Sequence, residues 1–244
     1  MTTVLVVQPA ADDGLGRFDE WLTAQGIALQ TVRPYAGDVV PERLRHDGLI
    51  VLGGEMSSND DARFPWLEQI RALFRDAVLQ HRPTLGICLG GQLLAQSLGG
   101  AVAKGLHGTE AGVVTVEATD AATGDVLFES LGPTFPVASM HGDAIERIPD
   151  GAELLGTSNP YAQQAFRAAP NAWGVQFHPE VTPATYAEWA AAFHSTDAAE
   201  RDRVARGVDE LAAADPEVRR TAAIIASRFA ALVLRAAHSD PPAS

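Results

Sequence analysis

Along the first two-thirds of the chain, short continuous apolar runs alternate with segments of helical period. Residues 4–7 (VLVV) form an unbroken apolar run, the pattern of a strand buried on both faces. Residues 17–25 have a helical period and stop at Gly26. Residues 27–32, 47–52 (DGLIVL) and 84–87 predict three further strands. Between them, residues 65–80 place Trp66, Ile70, Leu73, Phe74 and Ala77 on one stripe, as an amphipathic helix requires. Residues 92–98 predict a helix closed by Gly99-Gly100. This βαβα rhythm predicts a parallel sheet with helices on both faces.

The pattern then changes. Residues 112–118, 134–139, 152–157, 163–168 and 172–177 are short strand-like runs separated by turn residues. They predict a small antiparallel annex, with the last run returning to the central sheet. Residues 182–193 predict a helix with a Thr-Pro start. From residue 196 the chain is Ala-rich and helical. Asp215-Pro216-Glu217 has the order of an N-cap, an N1 proline and a first-turn acid, so a new helix is expected there. Its stripe of Ile224, Ile225, Phe229, Leu232 and Leu234 needs a partner, either the main domain or a second copy in a homodimer. The expected division is a domain over 1–195 and a helical extension over 196–244.

Composition narrows the function. The chain has 244 residues and 46% apolar content, enough for one good core. Thirty-one acids against 18 bases give a formal charge of −13, which disfavours nucleic acid or an anionic membrane as a partner. One cysteine excludes an intrachain disulfide and a Cys-rich zinc site. The apolar N-terminal run is short and lacks a basic leader, and no stretch approaches the ~20 apolar residues of a membrane helix. A cytoplasmic protein is expected.

The sole cysteine lies in Gly86-Ile87-Cys88-Leu89-Gly90, between a predicted strand and a predicted helix. This is the Cys version of the G-x-S-x-G turn, in which a sharp strand-to-helix bend projects the nucleophile. The helix N-terminus behind it favours a thiolate and supplies N–H donors. A lone cysteine is more often a small buried apolar residue; the spacing and context argue otherwise here. Of the seven histidines, only His178 directly follows an apolar strand, in Gln176-Phe-His-Pro-Glu180. Glu180 can accept one imidazole N–H, leaving the other ring nitrogen to face a thiol.

Gly-Ile-Cys-Leu-Gly-Gly-Gln (86–92) together with Gln-Phe-His-Pro-Glu (176–180) resembles the class I glutamine amidotransferases, over roughly residues 1–195. The resemblance implies an α/β, flavodoxin-like three-layer sandwich with a mostly parallel central sheet, a small antiparallel annex and C-terminal helices. It implies Cys88 as nucleophile, His178 as base and acid, and Glu180 as the orienting carboxylate. The N–H groups of Gly54 and Leu89 would form the oxyanion hole. Gly53 and Gln92, with His141, Gly142 and Asp143 in Ser139-Met-His-Gly-Asp143, would frame the glutamine pocket. These last features, with Pro65-Trp66-Leu67, Gln164-Ala165-Phe166 and Glu110, resemble the GMP-synthetase-like branch. Glu55 departs from that branch, which often has Pro after the double Gly. A carboxylate there would repel a substrate carboxylate or bind an ammonium group. Val113 stands where relatives tend to have an aromatic.

The implied activity is cleavage of the γ-glutamyl amide of glutamine, with ammonia released to a separate synthase subunit; no metal or organic cofactor is required. Two alternatives stay open: a free-standing hydrolase of γ-glutamyl peptides or amines, and a non-catalytic regulatory or binding protein on the same scaffold. Neither the acceptor nor a synthase domain can be read from the chain.

Overall fold

A computed structural model describes residues 1–239. Five strands form the parallel half of a nine-stranded sheet: β1 (Thr3–Val7), β2 (Ala28–Val32), β3 (Gly48–Val51), β4 (Thr84–Ile87) and β11 (Ala172–Val175). Their order is β2-β1-β3-β4-β11. Every residue of β3, β4 and β11 is buried, which accounts for their unbroken apolar sequences. The antiparallel half continues the same sheet through β10 (Ala165–Ala169), β9 (Glu153–Thr157), β6 (Glu110–Ala118) and β7 (Thr134–His141). The expected antiparallel runs therefore mostly extend the main sheet. A separate two-stranded sheet pairs β5 (Ala101–Lys104) with β8 (Asp143–Arg147), two short strands the sequence pattern did not predict.

Alternation along β1 and β3 sorts side chains to the two faces. Leu5, Val7, Leu49 and Val51 join the core formed with α2 (Trp66–Leu79) and α3 (Leu89–Ser97). Val4, Val6 and Ile50 join Phe18 and Leu22 of α1 (Arg17–Thr23) on the opposite face. The result is the expected three-layer α/β architecture. A further helix, α4 (Pro183–Ala192), starts at Thr182, whose Oγ1 accepts from Thr185 N at 3.1 Å.

The C-terminal region differs from expectation in one respect. Asp215-Pro216-Glu217 starts no new helix; α5 runs unbroken over Ala198–Ser239 with Pro216 inside it. Pro216 has no N–H to donate to the carbonyl four residues back. The helix continues because apolar residues on both sides of the proline are buried: Val204 and Leu211 before it, Val218, Ala222 and Ile225 after it. Asp215 forms an ion pair with Arg17 of α1 instead of capping. By length and composition α5 could also cross a membrane, contrary to the expectation that no stretch approaches this. In the fold, Ile225, Ala226, Phe229, Ala230 and Val233 are fully buried in the core beneath α1 and the sheet. Of the expected stripe, Ile225 and Phe229 are buried in this core, Leu232 and Leu234 pack partly against it, and Ile224 is half-buried outside it.

Candidate functional site

Parallel pairing aligns the carboxyl ends of four strands. Val7 of β1 pairs with Val51 of β3, Val51 with Gly86 of β4, and Ile87 of β4 with Val175 of β11. Whatever follows each strand meets at one edge, the usual ligand position of open α/β sheets. Asp13 follows β1, Gly53-Gly54 follows β3, Cys88 follows β4, and His178 follows β11. Strand order reverses between β1 and β3, so the crevice opens beside that switch point.

Cys88 occupies a left-handed backbone conformation, φ 50° and ψ −107°. A side chain at positive φ is strained, and such strain persists only where its surroundings enforce it. Here Cys88 N donates to Val175 O at 2.8 Å, and α3 starts at the next residue. The helix thus begins one turn earlier than its sequence period suggests, directly behind the thiol. The turn is possible only because Gly90 has no side chain: a Cβ there would lie 2.1 Å from Val51 O. Gly86 is similarly constrained, since its Cβ would lie 2.5 Å from Gly90 O.

His178 and Glu180 are nearly inaccessible, at 2% and 1% exposure. His178 Nδ1 and Glu180 Oε1 are 2.7 Å apart. The backbone fixes both residues: His178 N donates to Ala138 O of β7, and Arg17 N donates to Glu180 O. Trp189 of α4 packs edge-on against the imidazole, with ring centroids 4.8 Å apart. Burial disfavours the imidazolium, but the charges of Glu180 and Cys88 and hydrogen bonds to both outweigh it. The pKa of His178 is raised well above its ordinary value. The imidazolium is the state this environment favours at His178.

A cavity of about 590 Å³ opens over Cys88 and His178. Gly54, Gln92, His141, Gly142 and Asp143 line it, together with Asp13 and Glu55. Gly54 adjoins Leu89, since a Cβ on Gly54 would lie 3.2 Å from Leu89 Cδ2. Gly53 lies farther back, packed where a Cβ would meet Asp13 Oδ2 and His178 Cε1. Gln92 Nε2 donates to Asp143 O at 3.0 Å, fixing α3 to the start of β8.

His141 is held from two sides, by Asp143 O at 2.9 Å and Glu110 Oε2 at 2.9 Å. The same Glu110 oxygen accepts from Gln164 Nε2 at 2.7 Å and Ser139 Oγ at 3.2 Å. The motif residues of the antiparallel half therefore form one buried network behind the cavity wall. From α5, Glu200 Oε1 accepts from Thr109 N, and Arg203 donates to Thr109 O. Thr109 also lines the cavity, so the long C-terminal helix clasps its rim.

Sequence reasoning missed Asp13. The stretch Ala10-Ala11-Asp12-Asp13-Gly14 reads as a polar loop, and nothing in it marks one of the two acids as buried. In the structure Asp13 is 5% exposed, and burial pushes its pKa up to about 7. Asp13, His178 and Glu180 are the only described residues whose potential metal-ligand atoms cluster, all within 4.8 Å.

The class-I glutamine amidotransferase family matches residues 18–194, most of the chain. The chain belongs to this family. The amidotransferase is similar to a glutamine-hydrolysing GMP synthase subunit from Natronomonas pharaonis. The two are 37% identical over 147 residues, covering 59% of this chain and 71% of the relative. It is 34% identical over 160 residues to the GMP synthase of Shewanella piezotolerans, of which the match covers only 29%. Among solved structures, a glutamine amidotransferase from Thermotoga maritima superposes with a TM-score of 0.81 at 26% identity. That match covers 95% of this chain and 98% of the other.

Proposed function

We propose that this amidotransferase cleaves γ-glutamyl amides, with glutamine as the parent substrate, through Cys88, His178 and Glu180. One observation carries this reading. The strained Cys88 at the start of α3 and the buried His178–Glu180 pair meet in a single cavity.

On this reading the Cys88 sulfur attacks the side-chain carbonyl carbon. The oxygen takes up the negative charge between the N–H groups of Gly54 and Leu89, a type of contact that commonly contributes about 3 kcal/mol. His178 gives its proton to the departing nitrogen, the C–N bond breaks, and a γ-glutamyl thioester remains. The now neutral His178 takes a proton from water, which attacks the thioester and releases glutamate. Glu180 holds the tautomer and the orientation of the ring throughout. Gln92, His141, Gly142 and Asp143 shape the pocket for the glutamyl part, with Gly53 setting the close approach of the strand behind it. Residues 1–195 then form the catalytic domain, and 196–244 an extension that braces the cavity rim through Glu200 and Arg203. No step requires a metal or organic cofactor, and the reduced cytoplasm suits a single active thiol.

The test is direct. Incubation with L-glutamine should release glutamate and ammonia, and rapid acid quenching should trap a mass shift on Cys88. Absence of both would leave a non-catalytic role on the same scaffold. Similarity to a GMP synthase subunit supports a second element of the reading, docking of a separate synthase subunit that receives the ammonia. Glutaminase activity that is weak alone and rises with such a subunit supports docking. Full activity of the isolated chain supports a free-standing hydrolase.

A further inference from the structure

The cavity wall carries four acids against three histidines, His141, His178 and His194. Asp12, Asp13, Glu55 and Asp143 line it, and among the described residues no Lys or Arg does. Asp143 is occupied, since its Oδ2 accepts from Ser57 Oγ at 2.5 Å. The other three act together. Asp12 and Glu55 are exposed at the rim, and both raise the proton affinity of Asp13 through their charge.

Asp13 is the unusual member. It is buried, and its Oδ1 has no hydrogen-bond partner. A buried carboxyl oxygen without a partner is costly, so its retention beside a nucleophile calls for a ligand-side explanation. Burial raises its pKa to about 7; His178 opposes the rise, and Glu180, Asp12 and Glu55 add to it. Near neutral pH the group can therefore either hold or release a proton.

We infer that this cavity takes γ-glutamyl amides of cationic amines, with Asp13 receiving the leaving nitrogen and Asp12 and Glu55 holding a second positive charge. The inference rests on the reading of Cys88 as the attacking group. As the C–S bond forms and the C–N bond breaks, His178 protonates the nitrogen, which leaves as a neutral primary amine. An alkylamine has a pKa of about 10, so it takes the Asp13 proton and becomes an ammonium ion beside a carboxylate. The ammonium carries that proton out past the acidic rim, and Asp13 is reprotonated from solvent. A leaving amine that bears a carboxylate meets repulsion along the same path.

The test compares three γ-glutamyl amides with the same four-carbon chain: those of 1,4-diaminobutane, butylamine and 4-aminobutyrate. At low salt and neutral pH, kcat/KM should be highest for the diaminobutane amide and lowest for the 4-aminobutyrate amide. The diaminobutane amide should exceed the butylamine amide by at least about tenfold, the scale of one charge-assisted contact. That ratio should fall toward one in the exposed double variant Asp12→Asn/Glu55→Gln, whereas Asp13→Asn should lower kcat/KM for the diaminobutane and butylamine amides alike. Should Asp13→Asn fail to fold, the wild-type ratio and the surface double variant still decide. Equal rates for the three amides, or a ratio unchanged in the double variant, overturn the inference. Hydrolysis of none of them, with Cys88 also unlabelled by a glutamine-mimicking electrophile, overturns the Cys88 reading itself and this inference with it.

Discussion

The two halves of the sheet reach the same cavity by different physics. In the parallel half, backbone geometry positions the chemistry. Strand ends align by register, and Cys88 is held by a turn that tolerates no side chain at position 90. In the antiparallel half, side chains hold one another. Glu110, Ser139, His141 and Gln164 share hydrogen bonds across β6, β7 and the start of β10. The first arrangement fails through steric conflict and the second through lost partners, so the two halves should respond differently to mutation.

The largest expected effect is chemical. Cys88→Ala should lower γ-glutamyl hydrolysis by at least about 10⁴-fold, measured as glutamate release, with an unchanged circular dichroism spectrum. Residual turnover near wild type would move the nucleophile away from the parallel half. Next comes Gly90→Ala, whose new methyl group would face a backbone carbonyl that cannot rotate away. About 3 kcal/mol of stability should be lost in urea unfolding. Gly142→Ala is its counterpart in the antiparallel half. There the nearest atom to a Cβ is Thr109 Oγ1 at 4.0 Å, and the change should cost less than about 0.5 kcal/mol. Equal costs at the two glycines would erase the proposed contrast.

Glu110→Gln tests the side-chain network. It should cost about 2 kcal/mol, because at least one of three donors to Oε2 loses its acceptor. Full stability would show that the network is not what holds the antiparallel wall.

Asp13→Asn gives the clearest dependence on pH. The folded pKa of Asp13 is raised from 3.8 to about 7. Between those values the unfolded chain has released this proton while the folded chain keeps it. Asp13 therefore contributes stability that falls as pH rises from about 4 to 7. The variant should lack this fall and be more stable than wild type at pH 8, by up to about 4 kcal/mol. Parallel unfolding curves for the two proteins at pH 5 and pH 8 would refute a buried, titrating Asp13.

The comparison also shows what kind of information sequence carries. The parallel half was the more legible half. Its buried strands are unbroken apolar words, and Gly86, Cys88 and Gly90 mark the elbow by spacing alone. The antiparallel runs were visible as strands, but their joining to the main sheet was not, because pairing partners are set by distant residues. Strands β5 and β8 were missed because Ala101–Lys104 and Asp143–Arg147 have no apolar alternation and pair with each other. At Pro216 the local signal was misleading. A sequence that starts helices was overridden by burial on both sides of it.

The sequence by itself determined the candidate residues: one thiol in a strand-to-helix turn, and a His-Pro-Glu triplet after a second strand. Those features are local, and local sterics and spacing suffice to specify them. Only the tertiary structure decided that Asp13 belongs beside them, that Asp12 and Glu55 make the cavity acidic, and that α5 clasps its rim. Burial and electrostatic environment are properties of what packs around a residue, and two adjacent aspartates in a loop look alike until the fold buries one and leaves the other in water.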